Sequence, residues 1–203
     1  MAEIRSFIFA DRLQPQTLCY LGTWIKGTLP RADDAAQIIE VAPGLDIEPL
    51  TDVALKSAEV SAGILIVERQ YGYLEMHGET SQVRAAAGAV LDHLGASATD
   101  ATAPTILASR VVSRLDRQHA FLINRNKIGS MALPGESLFV LEMQPASYAI
   151  LATNEAEKAA RIKVVDYRMI GATGRVYLSG TESEVRAAAE AAEAALESMG
   201  GRR

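Results

Sequence analysis

The feature that most constrains this chain is that it repeats itself. Residues 78–89, GETSQVRAAAGA, match residues 180–191, GTESEVRAAAEA, at a constant offset of 102. The same offset pairs Thr51, Ala54, Lys56 and Ala58 with Thr153, Ala156, Lys158 and Ala160. It also pairs Gly72 with Gly174, Glu40 with Glu142, Pro43 with Pro145, and Arg12-Leu13 with Arg114-Leu115. Two Ala-rich helices could match by chance, but chance would not keep one register across strands and turns. A repeat of this length makes each copy a domain-sized unit.

The boundary follows from the repeat. ASATDATAP, residues 96–104, is a small-residue stretch without periodicity that ends in proline, and it reads as a linker. It separates a first domain, residues 1–95, from a second, residues 105–203. Within each copy, SFIFA (6–10) and TILASRVV (105–112) read as opening strands, and AQIIEVA (36–42) and SLFVLEM (137–143) as second strands. A helix is expected over about 46–58 and again over about 148–160. GILIVE (63–68) and GYLEMHG (72–78) then form a hairpin, matched by KVVDYRMI (163–170) and RVYLSG (175–180). A long helix closes each copy, with Val83, Ala86, Ala87, Val90, Leu91 and Leu94 on one face. The order predicts an α+β fold in which helices pack on an antiparallel sheet.

Composition narrows the function classes. The net charge of −5 and pI near 5.3 supply no diffuse basic field, so nucleic acid is not the expected partner. No stretch approaches the roughly 18 apolar residues of a membrane span. The opening MAEIRSFIFADR has no basic region followed by an apolar core, so a cytoplasmic protein is expected. The single cysteine, Cys19, sits in an apolar stretch and reads as a small buried hydrophobe.

Catalytic chemistry leaves little trace. His77, His93 and His119 are scattered, with no partner at a metal-ligand spacing, and His77 and His93 read as surface residues. There is no phosphate-binding loop of the Walker kind and no strand-linked dinucleotide fingerprint. Gly171-Ala172-Thr173-Gly174 is a glycine turn that could approach an anion, a weak signal by itself. No enzyme activity, cofactor or metal is expected. A tandem of similar domains suits a closed ring instead, in which three chains supply six domain copies and the two copies are free to differ near the axis.

Several segments resemble a known family, the circularly permuted tandem-domain shell proteins of bacterial microcompartments, and most of all its carboxysomal member with a gated pore. The likeness is carried by FADRLQPQ (9–16), GT (22–23), LP (29–30), LTDVALKSAEV (50–60), LIVER (65–69), AFLINRN (120–126), NEAEKAA (154–160) and IGATGRVYLSG (170–180). It implies a flat homotrimer of hexagonal outline that tiles with other shell proteins and passes metabolites through a pore on its threefold axis. Stacking of two trimers face to face is a feature of near relatives. The likeness fits carboxysomes and catabolic compartments alike, and the expectation leans to the catabolic kind.

The resemblance also implies roles for residues. The hairpin turn would approach the axis, as Glu68-Arg69-Gln70-Tyr71-Gly72 in the first copy and Ile170-Gly171-Ala172-Thr173-Gly174 in the second. Charged turns would then alternate with small ones. Adjacent residues on a strand point to opposite sides, so Glu68 and Arg69 share a direction only if the turn rotates; two states, closed and open, follow as an expectation. The resemblance places Lys56 and Lys158 at the tile edge, where an ammonium would reach carbonyls across the seam. The rival reading is a soluble homotrimeric sensor that binds a metabolite between subunits and does not form sheets.

Overall fold

The structure is a computed structural model and describes residues 2–202. The chain divides into two compact units, one built of residues up to Ala103 together with the C-terminal residues from Gly200 onward, the other of Pro104–Met199.

The first unit contains β1 (Glu3–Ala10), α1 (Pro15–Leu21), β2 (Ala35–Ala42), α2 (Ile47–Ser57), β3 (Ser61–Glu68), β4 (Tyr71–Gly78) and α3 (Thr80–Leu94). Its sheet is antiparallel throughout, in the order β1-β2-β4-β3. Alternation along the strands decides which residues meet the helices. Ile39 and Val41 of β2 and Leu74 and Met76 of β4 form one core with Ile47, Leu50 and Ala54 of α2 and Ala86, Ala87, Val90 and Leu94 of α3. Each large aliphatic side chain buried there contributes on the order of 1.5–3 kcal/mol. Helix α3 begins where the Glu79 carboxylate accepts from the Ser81 and Gln82 amides. It ends at Gly95, whose left-handed φ of 61° suits a glycine closure.

The second unit follows the same plan with β5 (Thr105–Val112), α4 (Arg117–Asn126), β6 (Ser137–Gln144), α5 (Tyr148–Ala159), β7 (Lys163–Arg168), β8 (Gly174–Gly180) and α6 (Glu182–Ser198). Its sheet order is β5-β6-β8-β7. The offset of 102 holds down to details that residue identity does not show. The Gly27 and Thr28 amides donate to carbonyls of Gly63 and Ala62, and Gly129 and Ser130 donate to those of Val165 and Val164. Ala42-Pro43 and Gln144-Pro145 are both cis. Helix α4 packs on the sheet face opposite α5 and α6, where Ala120 and Ile123 join Leu115, Leu138 and Val165.

Three expectations are corrected or refined. His77 is buried, at 2 % exposure, because it lies on the β4 face beside Glu75; its Nδ1 is 2.9 Å from Glu75 Oε1. The buried carboxylate explains Gly63, since a Cβ there would collide with Glu75 Oε2. Cys19 is exposed on α1, which turns Thr17, Tyr20 and Leu21 inward instead. Within residues 96–104, Ala98–Asp100 form a helical turn that the Ser97 and Asp100 side chains cap reciprocally. Beyond that turn, Ala103 N donates to Arg202 O and Arg202 N to Ala101 O, so the C-terminal residues return to the first unit.

Glycine packing in the first unit gives a paired test. A Cβ at Gly72 would strike the Gly44 carbonyl and come within 2.7 Å of Ile47 Cβ, whereas one at Gly88 in α3 meets nothing within 4 Å. Gly72→Ala is expected to destabilise the unit by about 1–3 kcal/mol through overpacking, and Gly88→Ala to stabilise it by about 0.5–1 kcal/mol through helix propensity. Denaturant midpoints of the two variants, read against the unsubstituted protein, check both signs.

Candidate functional site

The two hairpin turns at equivalent positions are built differently. In the first unit Glu68 pairs with Tyr71, so the turn is only Arg69-Gln70. So tight a connection forces Arg69 to a φ of 56°, a left-handed conformation that costs a non-glycine residue about 1–2 kcal/mol. The rotation brings Arg69 Nε to 3.7 Å from Glu68 Oε1. The strict alternation of strand side chains thus ends at Glu68, and the two charges share one side of the turn. Their side chains are 84 % and 49 % exposed for Arg69 and Glu68, so the contact is worth only about 0–1 kcal/mol.

The base of this turn is held far more firmly. Gln70 Nε2 donates to the Tyr71 hydroxyl at 2.7 Å, and the Arg5 guanidinium lies over the Tyr71 ring at 4.1 Å. Arg5 is itself tied to the buried Glu40 at 2.9 Å. Gly72 is buried, with backbone of the Gly44 turn against it. Of the five residues singled out in the sequence, Glu68, Arg69 and Gln70 are therefore the exposed tip, while Tyr71 and Gly72 are its anchor.

In the second unit β7 stops at Arg168 and β8 starts at Gly174, so the connection is longer. Met169 is buried, Gly171 takes a φ of 129°, and Ala172 is exposed. Thr173 Oγ1 donates to Glu142 Oε1 at 2.8 Å, and Arg175 Nε donates to the same oxygen at 3.2 Å. These two bonds, Thr173's first, hold the Glu142 carboxyl below the ordinary glutamate value. Gly174, like Gly72, is buried, and a Cβ there would strike the Ala146 carbonyl and lie 2.7 Å from Met143 Sδ.

Beside this second turn lies a cavity of about 450 Å³ that the sequence reading missed. Its walls include Asn126, Lys127, Arg168, Thr173 and Arg175. Lys127 Nζ is 2.9 Å from the fully buried Asp166 and 3.8 Å from the centre of the Tyr177 ring. Arg168 Nε reaches Asp166 at 3.4 Å. Burial raises the Asp166 carboxyl above its ordinary value, opposed by Arg168. Burial first, and then the charges of Arg168 and Arg175, push Lys127 down. The signal lay in the mismatches of the repeat: Lys127, Asp166, Arg168 and Arg175 stand opposite Ile25, Ile64, Ile66 and Tyr73.

Lys56 and Lys158 occupy the last turns of α2 and α5. Lys56 Nζ lies 2.6 Å from Asp52, and Lys158 Nζ lies 2.6 Å from Glu155. Pairs of this type on one helix contribute about 0.2–0.5 kcal/mol, so either ammonium is readily redirected. Among the described residues no group of His, Cys, Asp and Glu is placed to hold a metal ion, and no helix is long and apolar enough to cross a membrane.

Comparison with known proteins places this geometry. Residues 4–100 match the model of the CsoS1D N-terminal domain, and residues 137–202 match the BMC domain. The chain is 45 % identical to the carboxysome shell protein CcmP of Synechococcus elongatus, over 98 % of this chain and 94 % of that one. It is 42 % identical to the carboxysome shell protein CsoS1D of Hydrogenovibrio crunogenus, over 98 % of each. Among solved structures, the fused permuted hexameric shell protein MSM0275 from the RMM microcompartment is 75 % identical, with a TM-score of 0.97 over 99 % of this chain and 100 % of that one. The double ringed trimeric shell protein MSM0271 from the same microcompartment is 40 % identical, with a TM-score of 0.96 over 100 % and 99 %. The role that follows is structural and not enzymatic. The chain belongs to the tandem-domain, circularly permuted shell proteins of bacterial microcompartments.

Proposed function

We propose that three copies of this shell protein close into a ring whose central pore is lined alternately by the Glu68-Arg69-Gln70 tip and the Ile170-Gly171-Ala172-Thr173 turn. The observation that carries this reading is the asymmetry of the two turns on a common frame. One tip bears two exposed charges, one of them on a strained residue; the other has Gly171 and Ala172 where the first has Arg69 and Gln70. Small neighbours give the charged tip room to move. The hexameric and trimeric descriptions of MSM0275 and MSM0271 support the ring. So do exposed apolar side chains such as Leu65, Val67 and Leu107, which association would cover.

The tip is the gate. Releasing Arg69 from its left-handed φ recovers about 1–2 kcal/mol, and breaking its contact with Glu68 loses at most about 1 kcal/mol. Two turn conformations therefore lie within a few kcal/mol, a range in which a ligand preferring one of them shifts the population. Anchoring of Tyr71 under Arg5 and of Gly72 against the Gly44 turn confines the movement to Glu68, Arg69 and Gln70. The 75 % identity to MSM0275 favours a compartment of the RMM kind over a carboxysome.

Lys56 and Lys158 serve the rim, where each would exchange its weak intrahelical partner for a neighbouring ring. A metabolite sensor of the same fold would have no use for lysines at a shared edge, so sheet formation separates the two readings.

Two experiments follow. Glu68→Ala and Arg69→Ala rings should differ from the parent in pore width by crystallography or cryo-electron microscopy, and in single-pore conductance; identical pores in all three would remove the gate. Lys56→Ala with Lys158→Ala should abolish two-dimensional sheets in electron micrographs while leaving the mass of the ring unchanged. Sheets of undiminished extent would remove the rim role.

A further inference from the structure

We infer that the second unit carries a binding site for a small oxyanion, a phosphate or a carboxylate, in the cavity beside residues 170–173, and that the first unit lacks it. The inference does not depend on a ring or a gate, because every wall residue belongs to the second unit.

Register brings the site together. Arg168 of β7 pairs with Arg175 of β8, and Asp166 pairs with Tyr177, so these four side chains share the sheet face on which Glu142 of β6 also lies. Lys127, just after α4, reaches the same face over the Tyr177 ring. The cavity wall contains the three cations Lys127, Arg168 and Arg175, whereas the carboxylates that pair with them, Asp166 and Glu142, are not part of it. Among the described residues these three positive groups pair with two negative ones, and it is the positive groups that border the void.

The crowding is felt within the protein. Burial and the two guanidinium groups hold the Lys127 ammonium below the ordinary lysine value, and its side chain is only 15 % exposed. An anion in the cavity would relieve that repulsion at reduced dielectric, where the attraction is stronger than in water. Asn126 in the wall adds a neutral amide donor, whereas the Thr173 hydroxyl is already given to Glu142. A volume of about 450 Å³ falls in the range of small-molecule sites. Paired guanidinium groups suit oxygens on a phosphate or carboxylate.

The first unit makes the contrast. Its equivalents of Lys127, Arg168 and Arg175 are Ile25, Ile66 and Tyr73, none of them a cation. The site should therefore occur once per chain and not twice.

The test is calorimetric titration of the full-length protein with inorganic phosphate at constant ionic strength, repeated with Arg175→Gln and Arg168→Gln. Arg175 is half-exposed, and its removal leaves Glu142 its bond to Thr173, so that variant keeps its fold; an unchanged melting temperature without phosphate verifies this. Saturable binding of one phosphate per chain, weakened about tenfold or more in each variant, is expected for loss of a charge-assisted contact. A parallel titration with acetate separates the sources: tighter binding of phosphate assigns the site to phosphorylated compounds, and equal or tighter binding of acetate assigns it to carboxylates. No saturable binding of either anion, two equal sites per chain, or unchanged affinity in both variants would overturn the inference.

Discussion

Each hairpin is pinned at its base by one close approach, where a strand glycine lies against the turn that precedes a helix. Gly72 meets the Gly44 carbonyl and Ile47, and Gly174 meets the Ala146 carbonyl and Met143. A side chain at either glycine would push the hairpin off the helix layer. Because this contact fixes the base, the tips project from the same place in both units and can differ without disturbing the sheet. The apolar layer beneath, from Leu74 and Met76 to Ala86 and Val90, depends on the same strand position.

On that shared frame the two units divide the chemistry. The first uses its polar groups to anchor the base of a charged tip, where Arg5 bridges Glu40 and the Tyr71 ring. The second turns the corresponding face into a cationic cavity and ends its hairpin in small residues. Fusion of the two copies in one chain permits this division, since identical copies in a sixfold ring would each have to carry every feature.

The repeat made most of the architecture legible. Identities at one offset carried the strands, the main helices and the equivalence of Lys56 with Lys158, because backbone register and helix faces depend on periodicity that survives in single residues. Features that depend on tertiary proximity are not legible in this way. His77 looked like a surface residue because strand alternation does not reveal that both faces of this sheet are covered. Cys19 looked buried because a short helix in an apolar stretch leaves its orientation open. The left-handed Arg69 was foreshadowed only as a rotation the turn would need. Lys127, Arg168 and Arg175 are far apart in sequence and became a group only through strand pairing. Their departures from Ile25, Ile66 and Tyr73 are visible in the sequence, but a mismatch between copies does not say which residues meet in the fold.

Unlike turns can alternate only around an axis, and the mass of the native assembly tests for that axis most directly. Native mass spectrometry of the purified protein should give three chains, or six if rings stack. A monomer or dimer at micromolar concentration would contradict the account, because Glu68 and Arg69 would then have no axis to face.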